Sequence, residues 1–324
     1  MMNPSKAELE RIHQRIKSMI HRTPVLESTG LNELLGAEMY FKCENFQRIG
    51  AFKMRGAAYF MHEILNTNGE KIHAVVTHSS GNHAQAVALA AKLNDLKAYI
   101  VMPKDAPKVK VAAVRSYGGE VHFCEPNLQA RTTMMESIRS EKKAVFIPPF
   151  DHEHIILGQA TAAKELIEDM ANLDYLLAPV GGGGLLAGSA LTIKALSPTT
   201  EVIGCEPEMA DDAYRSFKNK RWQPSETPNT LADGLKTSLG KLNFEIIIEA
   251  VDSILCCSEK EMLEAMKLIW ERMKIVVEPS AAVPLACILG NREKFKGKRI
   301  GVIISGGNVD LGDFFGLLDQ KRSV

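Results

Sequence analysis

The sequence predicts an α/β protein built on two open, twisted, mostly parallel sheets with helices on both faces. Between residues 74 and 147, short apolar strands alternate with helices, which is the pattern of a parallel sheet with right-handed crossovers. The same alternation returns between residues 155 and 304. A chain of 324 residues is long enough for two domains. We expect a large domain of residues 1–69 and 149–324 and a small, mobile domain of residues 70–148.

The composition indicates a globular protein that binds neither nucleic acid nor membrane. Hydrophobic residues make up 45% of the chain and charged residues 24%, which is ordinary for such a protein. Basic and acidic residues both number 39, giving a formal net charge of +0, so no overall field attracts a polyanion. The amino terminus lacks the apolar core of a signal peptide, and residues 175–196, the most apolar region, are broken by proline and glycine. We therefore expect a cytoplasmic protein whose six cysteines are reduced and mostly buried.

The first helix is predicted from Ala7, because Ser5 can cap its amino end and apolar residues recur at helical spacing. An extended segment at 23–26 and a strand at 39–43 lead to a loop around Lys53 and a helix from Arg55. In the small domain, strands are predicted at 74–77, 98–102, 121–124 and 144–147, and helices at 82–93, 107–117 and 128–139. In the second half, helices are predicted at 155–170, 185–196, near 245, at 259–273 and from 280, and strands at 175–178, 201–205 and 300–304.

Four short motifs lie where predicted strands end. They are the lysine loop Gly50-Ala51-Phe52-Lys53-Met54-Arg55-Gly56, the turn Thr77-His-Ser-Ser-Gly-Asn-His, a run of four glycines after Val180, and Ile304-Ser-Gly-Gly-Asn. The carboxyl ends of parallel strands form one ligand-binding crevice, so these motifs can converge there. A lysine facing a phosphate-binding turn suggests pyridoxal phosphate, whose aldehyde condenses with a lysine amine as a Schiff base. Taken alone, Lys53 would be more typical of a solvated surface residue.

The glycine run lies between a strand and a helix, where free backbone amides and the helix dipole favour an anion. A tight strand-to-helix turn is the alternative explanation. A dinucleotide site would need G-x-G-x-x-G after an early strand and an acidic residue about 20 positions later, and residues 181–184 lack that pattern. The run therefore favours phosphate binding over hydride transfer.

The order of the four motifs resembles the serine racemase and serine/threonine dehydratase family, the fold-type II pyridoxal-phosphate enzymes, over nearly the whole chain. The resemblance implies a homodimer in which Lys53, on the larger domain, forms the Schiff base. The cofactor-binding residues that it implies are Phe52, Lys53, Asn82, Gly181, Gly182, Gly183, Gly184, Leu185, Gly234, Glu278 and Ser305. The chain stops soon after Asn308, without room for the carboxy-terminal regulatory domain of the biosynthetic threonine dehydratases.

Ser305 matches the family residue that faces the pyridine nitrogen of the cofactor. A hydroxyl cannot supply the negative charge with which an aspartate keeps that nitrogen protonated. The ring is then a weaker electron sink, which favours rapid loss of a β-hydroxyl. A serine that caps a turn is the alternative role for this residue.

The serine-rich turn opens a helix, where hydroxyls and free amides can hold a carboxylate. By resemblance, the substrate-binding residues are Ser79, Ser80, Gly81, Asn82, His83 and Arg131, and Asn82 also contacts the ring oxygen of the cofactor. Racemising members have a serine at position 80, on the cofactor face opposite the lysine. Lys53 and Ser80 are therefore the predicted catalytic pair that exchanges the Cα proton, although a serine here also fits a helix cap. Arg131 matches an arginine that can meet a second substrate carboxylate, which keeps 3-hydroxyaspartate among the substrates.

Glu206, the carbonyl of Ala210 and Asp212 match the metal site of the family. Acidic clusters are more often simply solvated, but this oxygen ligand set selects Mg²⁺ or Ca²⁺, or Mn²⁺, over zinc. His152-Glu153-His154 is not predicted to bind metal, because two histidines two positions apart in a loop lack the spacing of zinc proteases.

Some members of the family bind ATP between subunits, and Gln85, Tyr117, Lys274 and Asn308 match that nucleotide site. The chain departs from the family pattern at two positions. Ala51 stands where many members have serine, and Phe150 stands where mammalian serine racemases have asparagine. Both features make the chain more similar to microbial racemase/dehydratases.

Together these features predict a pyridoxal-phosphate enzyme that racemises L-serine or eliminates water from it to give pyruvate and ammonia. A threo-3-hydroxyaspartate or L-threonine ammonia-lyase is the alternative within this class. A non-catalytic, ligand-binding regulatory protein with the same fold is the alternative from a different class.

Overall fold

The computed structural model describes residues 2–67, 71–79, 81–106 and 108–312. Its strands are β1 (Val25–Leu26), β2 (Glu38–Cys43), β3 (Ala74–His78), β4 (Lys97–Pro103), β5 (Gly119–Cys124), β6 (Val145–Phe146), β7 (Tyr175–Pro179), β8 (Glu201–Pro207), β9 (Ser253–Cys257) and β10 (Arg299–Ile304). Its α-helices are α1 (Lys6–Ile16), α2 (Thr29–Leu35), α3 (Lys53–Thr67), α4 (Asn82–Lys92), α5 (Lys108–Ser116), α6 (Leu128–Lys142), α7 (Glu153–Asp169), α8 (Gly184–Leu196), α9 (Asp212–Asn219), α10 (Lys241–Ala250), α11 (Glu259–Leu268), α12 (Pro279–Gly290) and α13 (Arg292–Phe295).

The strands form two sheets. The larger has the order β1-β2-β10-β7-β8-β9, and the smaller has the order β5-β4-β3-β6. Every pairing is parallel except that of β1 with β2. β10 is inserted between β2 and β7, so its carboxyl end lies beside the ends of strands from both halves of the chain. Ligands bind at such strand ends in open parallel sheets.

Helices cover both faces of each sheet. In the larger sheet, Phe41 packs toward the side of α11 and α12, whereas Tyr40 packs toward the side of α7, α8 and α10. In the smaller sheet, Val75 faces α4 and Val76 faces α6. Neighbouring residues of one strand point to opposite faces, so both faces of both sheets are buried. The predicted fold class is confirmed.

The predicted strands and helices are present, with boundaries that differ by a few residues. Ser5 forms the predicted cap of α1, as a capping box with Glu8. Helices α2, α9 and α13 were not predicted, and α11 continues as a π-helix through Ile269–Met273. The loop assigned to His152-Glu153-His154 was wrong, since His152 caps α7 and the next two residues form its first turn. The predicted small domain contains all four strands of the smaller sheet, and the division into domains stays a prediction.

All six cysteines are free thiols, as predicted, and five of them are buried. Within the described part of the chain, no helix combines the length and the apolar character needed to span a membrane.

Candidate active site

Lys53 begins α3 at the carboxyl edge of the larger sheet. Ala51 pairs with Gly306 in an isolated antiparallel bridge, and the amide of Phe52 donates a hydrogen bond to the carbonyl oxygen of Ser305 at 3.0 Å. These backbone contacts hold the lysine loop against the residues that follow β10. Two of the four sequence motifs are therefore joined directly.

The amine of Lys53 is surrounded by apolar groups. Its Nζ donates to the carbonyl oxygen of Pro149 at 2.8 Å and lies 5.1 Å from the ring centre of Phe52 and 5.9 Å from that of Phe150. Burial lowers the pKa of Lys53 to about 8, against the opposing effect of the Glu278 charge. A surface lysine has a pKa of about 10.4, so the Lys53 amine loses its proton more readily and is suited to act as a nucleophile or a base.

The glycine run forms a turn between β7 and α8 that side chains would obstruct. Gly183 has a φ of +89°, in the left-handed region that favours glycine. A Cβ on Gly182 would lie 2.2 Å from Cγ of Phe150. Gly183 is also the cap of α8 and supplies no side-chain hydrogen bond, so the first amides of the helix, including that of Leu185, face the site without a side-chain cap. Such a turn fits the phosphate of a cofactor.

Asn243 and Asp151 support this turn and were not found from the sequence. Asn243 Nδ2 donates to the carbonyl oxygens of Gly182 at 2.6 Å and Phe150 at 3.3 Å. Asp151 accepts hydrogen bonds from the amides of Lys241 at 3.0 Å and Asn243 at 3.2 Å. Asn243 lies 61 positions after Gly182, and no local pattern connects them.

Ser305 and Glu278 form another wall of the site. Ser305 is buried directly after β10, and the carboxylate of Glu278 lies so near Gly306 that a Cβ there would be 2.7 Å from Oε1. Asn82 Nδ2 donates to both carboxylate oxygens of Glu278, at 3.0 and 3.1 Å. Burial and the charge of Asp233 raise the pKa of Glu278 to about 7. The carboxyl group of Glu278 therefore keeps its proton to a higher pH than an exposed glutamate does.

Asn308 and Gly234 lie beside the residues predicted to bind the cofactor. Asn308 Nδ2 donates to the carbonyl oxygen of Ile49 at 2.6 Å and to Oδ1 of Asn82 at 2.9 Å. A Cβ on Gly181 would lie 3.1 Å from the carbonyl oxygen of Gly234. The structure thus brings most of the predicted cofactor-binding residues close together.

The serine-rich turn connects β3 to α4, and Ser80 lies outside the described residues. Ser79 Oγ accepts a hydrogen bond from the amide of Gly81 at 3.2 Å. His83 is buried and its Nε2 contacts the carbonyl oxygen of Ile147 at 3.0 Å. Burial and the nearby charge of Lys53 lower the pKa of His83 to about 3. The ring of His83 is therefore neutral, and its assignment to the substrate stays a prediction.

Arg131 lies in the first turn of α6, close to the end of β3. It is half-buried, and its Nε is shielded from solvent without a hydrogen-bond partner. Burial and the charge of Arg131 lower the pKa of His78, and the ring of His78 stacks on Phe146 with centres 5.8 Å apart. An unpaired guanidinium nitrogen at this position can donate a hydrogen bond to an anionic group of a ligand.

The other residues assigned to a nucleotide are more scattered. Gln85 is buried in α4, Tyr117 follows α5, and Lys274 ends the π-helix and donates to the carbonyl oxygen of Glu271. Among the described residues, no hydrogen bond or ion pair links these three side chains to one another. Asn308, of the predicted nucleotide set, donates a hydrogen bond to Asn82, a residue predicted to bind the cofactor.

The carboxylates of Glu206 and Asp212 are fully buried. Glu206 accepts hydrogen bonds from the amides of Ala213 at 3.2 Å and Tyr214 at 2.8 Å. One oxygen of Asp212 accepts from the amide of Leu239 at 2.7 Å, and the other, Oδ1, has no partner. Burial and the charge of Asp212 raise the pKa of Glu206 well above its usual range, and burial raises that of Asp212 to about 6.

These two carboxylates fit a hard cation, because a cation would use the unpaired oxygen and offset the buried charge. The carbonyl of Ala210 belongs to the short helical turn between them. In the described ranges, no set of three or more histidine, cysteine, aspartate or glutamate side chains could hold a metal. The predicted site instead combines two carboxylates with a backbone oxygen.

Comparison with known proteins gives consistent matches over nearly the whole chain. The model of a family described as pyridoxal-phosphate dependent enzyme matches residues 16–306. The beta-hydroxyaspartate dehydratase of Paracoccus denitrificans is 46% identical over 311 residues, covering 96% of this chain and 98% of that protein. The serine racemase of Dictyostelium discoideum is 46% identical over 319 residues, covering 96% and 97%. The crystal structure of the Dictyostelium racemase superposes with a TM-score of 0.90, covering 96% of this chain and 100% of that one.

Proposed function

The chain belongs to the family of pyridoxal-phosphate dependent enzymes, and from this premise we propose that it converts a small β-hydroxy amino acid. The preferred substrate is L-serine, which is racemised or dehydrated to pyruvate and ammonia. The observation that carries the proposal is the Lys53 amine, which is partly buried, is bonded to a backbone carbonyl rather than to a carboxylate, and has a lowered pKa. Such an amine is available for covalent chemistry near neutral pH.

The residues of the crevice have distinct proposed roles toward the cofactor. Lys53 would bind its aldehyde, and the amides of the glycine run and of Leu185 would bind its phosphate. Ser305 would face the pyridine nitrogen, and Asn82 the ring oxygen. The remaining contacts come from Phe52, Gly234 and Glu278. When bound, pyridoxal phosphate supplies an aldehyde that binds amines and a ring that stabilises negative charge at the substrate Cα.

Lys53 is the proposed base that removes the Cα proton of the substrate. Its lowered pKa favours this role, because a base must be deprotonated to accept a proton. The turn of Ser79, Gly81 and Asn82 would hold the α-carboxylate through hydroxyls and the free amides at the start of α4. Ser305 is neutral and leaves little stabilisation for charge on the substrate. Loss of the β-hydroxyl is therefore favoured once the proton has moved to Lys53.

Ser80 is the proposed acid for racemisation. Racemisation requires that a proton return to Cα on the face opposite the base, so a second group must stand there. This role for Ser80 rests on the sequence resemblance. Elimination needs no acid on that face, because the proton taken up by Lys53 can leave with the β-hydroxyl as water. Ser80 is therefore needed for racemisation and not for elimination.

A second candidate substrate is threo-3-hydroxyaspartate, and one observation favours it. Arg131 has an unpaired, shielded Nε close to the substrate turn, and an extra carboxylate would pair with it. The Paracoccus relative is named for this substrate class. L-threonine remains a third candidate. A non-catalytic regulatory role is disfavoured by the intact Lys53 and Ser305, and a colourless, cofactor-free protein would support it.

Mg²⁺ or a similar cation is proposed to bind Glu206, the carbonyl of Ala210 and Asp212. The support is the buried pair of carboxylates and the unpaired oxygen of Asp212. A homodimer, an ATP effector at the predicted nucleotide residues, and a cytoplasmic location are proposed from the family resemblance.

One NMR experiment tests the function. The protein is incubated with pyridoxal phosphate, Mg²⁺ and L-serine in D₂O, and pyruvate and chirally resolved serine are followed together. Cα-deuterated D-serine is expected from a racemase, and pyruvate alone from a dehydratase. Conversion of 3-hydroxyaspartate but not serine would establish the alternative substrate. A Lys53→Ala variant that retained full turnover would contradict the proposal.

A further inference from the structure

The predicted base and the glycine run are carried by two helices that pack on the same third helix. Lys53 begins α3 and the glycine run leads into α8, and both helices pack along α7. At two glycine positions these contacts leave no room for a larger side chain. A Cβ on Gly158 of α7 would lie 2.6 Å from the carbonyl oxygen of Arg55, and a Cβ on Gly188 of α8 would lie 2.4 Å from that of Ile156. Helix α7 therefore sets the spacing between Lys53 and the glycine run.

A buried charge cluster attaches the first turn of α3 to α7. Arg55 donates through Nε and Nη2 to Glu44 at 2.7 and 2.8 Å, and through Nη1 and Nη2 to Glu165 at 2.8 Å each. Thr161 of α7 accepts a further bond from Nη1 at 3.2 Å. Lys42 donates to Glu165 at 2.6 Å. The side chains of Lys42, Glu44, Arg55 and Glu165 are all 0% exposed.

The geometry of this cluster is better explained by positioning than by stability. The charges of two cations and two anions balance in it, and His13 also contacts Glu165 at 2.9 Å. Buried ion pairs of this kind are often no more stabilising than well-packed apolar groups. The planar guanidinium fixes the direction of its partners as well as their distance. Arg55 is two residues beyond Lys53, so its orientation fixes the helical turn from which the Lys53 side chain extends.

The start of α7 contacts the reactive amine as well. Pro149, which accepts the hydrogen bond from Lys53, and Phe150, whose ring packs on Gly182, precede this helix by a few residues. A displacement of α3 relative to α7 would therefore move the amine away from both its carbonyl partner and the glycine run.

We propose that Arg55 is a positioning residue for Lys53, which it orients through Glu44, Thr161 and Glu165. The inference rests on the proposed attachment of the cofactor at Lys53. An Arg55→Lys variant keeps the charge and loses the planar paired contacts, since an ammonium group cannot bond both carboxylates in one plane. In this variant the Lys53 amine would remain chemically intact, but its side chain would be wrongly oriented.

The test compares Arg55→Lys and Thr161→Val with Met266→Ala in the cofactor-loaded enzyme. Thr161→Val removes the hydrogen bond from Arg55 and the one that Thr161 donates to the carbonyl oxygen of Gly158. It keeps both carboxylate pairs, so it provides a milder variant if Arg55→Lys does not fold. Met266→Ala is the control, because it creates a cavity in the buried core beside α12, away from Lys53. For each protein, kcat, KM, the melting temperature and the pH midpoint of the visible cofactor absorbance are measured.

Arg55→Lys is expected to lower kcat by about tenfold or more with KM changed less than about twofold, because a small misplacement of a reacting group reduces the rate steeply. The pH midpoint of the absorbance should shift, and Thr161→Val should shift it less in the same direction. Met266→Ala should change neither quantity even where its loss in melting temperature is as large. If Arg55→Lys and Thr161→Val lost only melting temperature, as the control does, the positioning role would be refuted. A wild-type protein without visible absorbance would instead refute the proposed function, and this inference with it.

Discussion

Replacing Gly183 by alanine tests how closely the glycine run is packed. The new Cβ would lie 2.5 Å from Cδ1 of Leu239 and 2.9 Å from Cβ of Asn243, in a backbone with φ of +89°. A left-handed conformation costs a non-glycine residue about 1–2 kcal/mol, and overpacking adds about 1–3 kcal/mol. The variant should also lose cofactor affinity, because Asn243 holds the carbonyl of Gly182. Each tenfold loss of affinity corresponds to about 1.4 kcal/mol.

Gly297→Ala is the matched control for this prediction. Gly297 has a φ of +71°, and an added Cβ would meet nothing within 4 Å. Backbone strain and the effect of alanine on the unfolded chain are then similar in both variants, so the difference in unfolding free energy isolates the overpacking of about 1–3 kcal/mol. The assays are urea unfolding and titration with pyridoxal phosphate. Equal stability and equal cofactor affinity in the two variants would refute the packing argument for the glycine run.

Four further outcomes are expected. The rate at which pyridoxal phosphate attaches to cofactor-free protein should increase as the pH rises toward about 8 and level off above it, because burial lowers the pKa of Lys53 and only the neutral amine attacks. Stopped-flow absorbance measures this rate, and a rate that still rose steeply above pH 9 would contradict the prediction. Mg²⁺ at a hundredfold excess over its Kd should stabilise the wild type by about 2.7 kcal/mol in thermal unfolding. Asp212→Asn should abolish this gain. Asp211→Asn should retain it, because Asp211 is partly exposed and pairs with Arg215. Ser80→Ala should abolish D-serine formation but keep pyruvate formation in the NMR assay, and equal loss of both would argue against a proton donor at this position. Arg131→Met should reduce kcat/KM for 3-hydroxyaspartate by about tenfold or more and leave that for L-serine within about twofold in a pyruvate or oxaloacetate assay, whereas equal losses for both substrates would contradict a second carboxylate contact.

The sequence predicts those parts of the candidate site that depend on local chemistry. Lys53, the glycine run and Ser305 follow apolar strands, and strands of a parallel sheet present their carboxyl ends on one edge. The run of glycines also predicts the turn at Gly183, because consecutive glycines are tolerated where the backbone must turn sharply. The alternation of strands and helices likewise predicted the fold class, since its period is a local property.

The sequence could not predict contacts that depend on distant segments. Asp151 and Asn243 support the glycine turn from positions 30 or more residues away from it, and each looks like an ordinary polar residue of a helix start or helix surface. The partners of Arg55 come from three separate segments of the chain, which carry Thr23, Glu44 and helix α7. A charged residue close to Lys53 in sequence is usually exposed, so its complete burial becomes evident only when the folded partners are known.

The two sheets meet at the residues predicted to bind the cofactor. Asn82, at the start of α4 on the smaller sheet, is bonded to Glu278 and Asn308 from the part of the chain around the larger one. Lys110 of α5 pairs with Asp233, and the charges of both residues act on the pKa of Glu278. A shift of α5 that separated this ion pair would change the electrostatic balance at Glu278 and hence its bonds to Asn82. The position of the smaller sheet and the chemistry of the crevice are therefore connected through side chains that line the site itself.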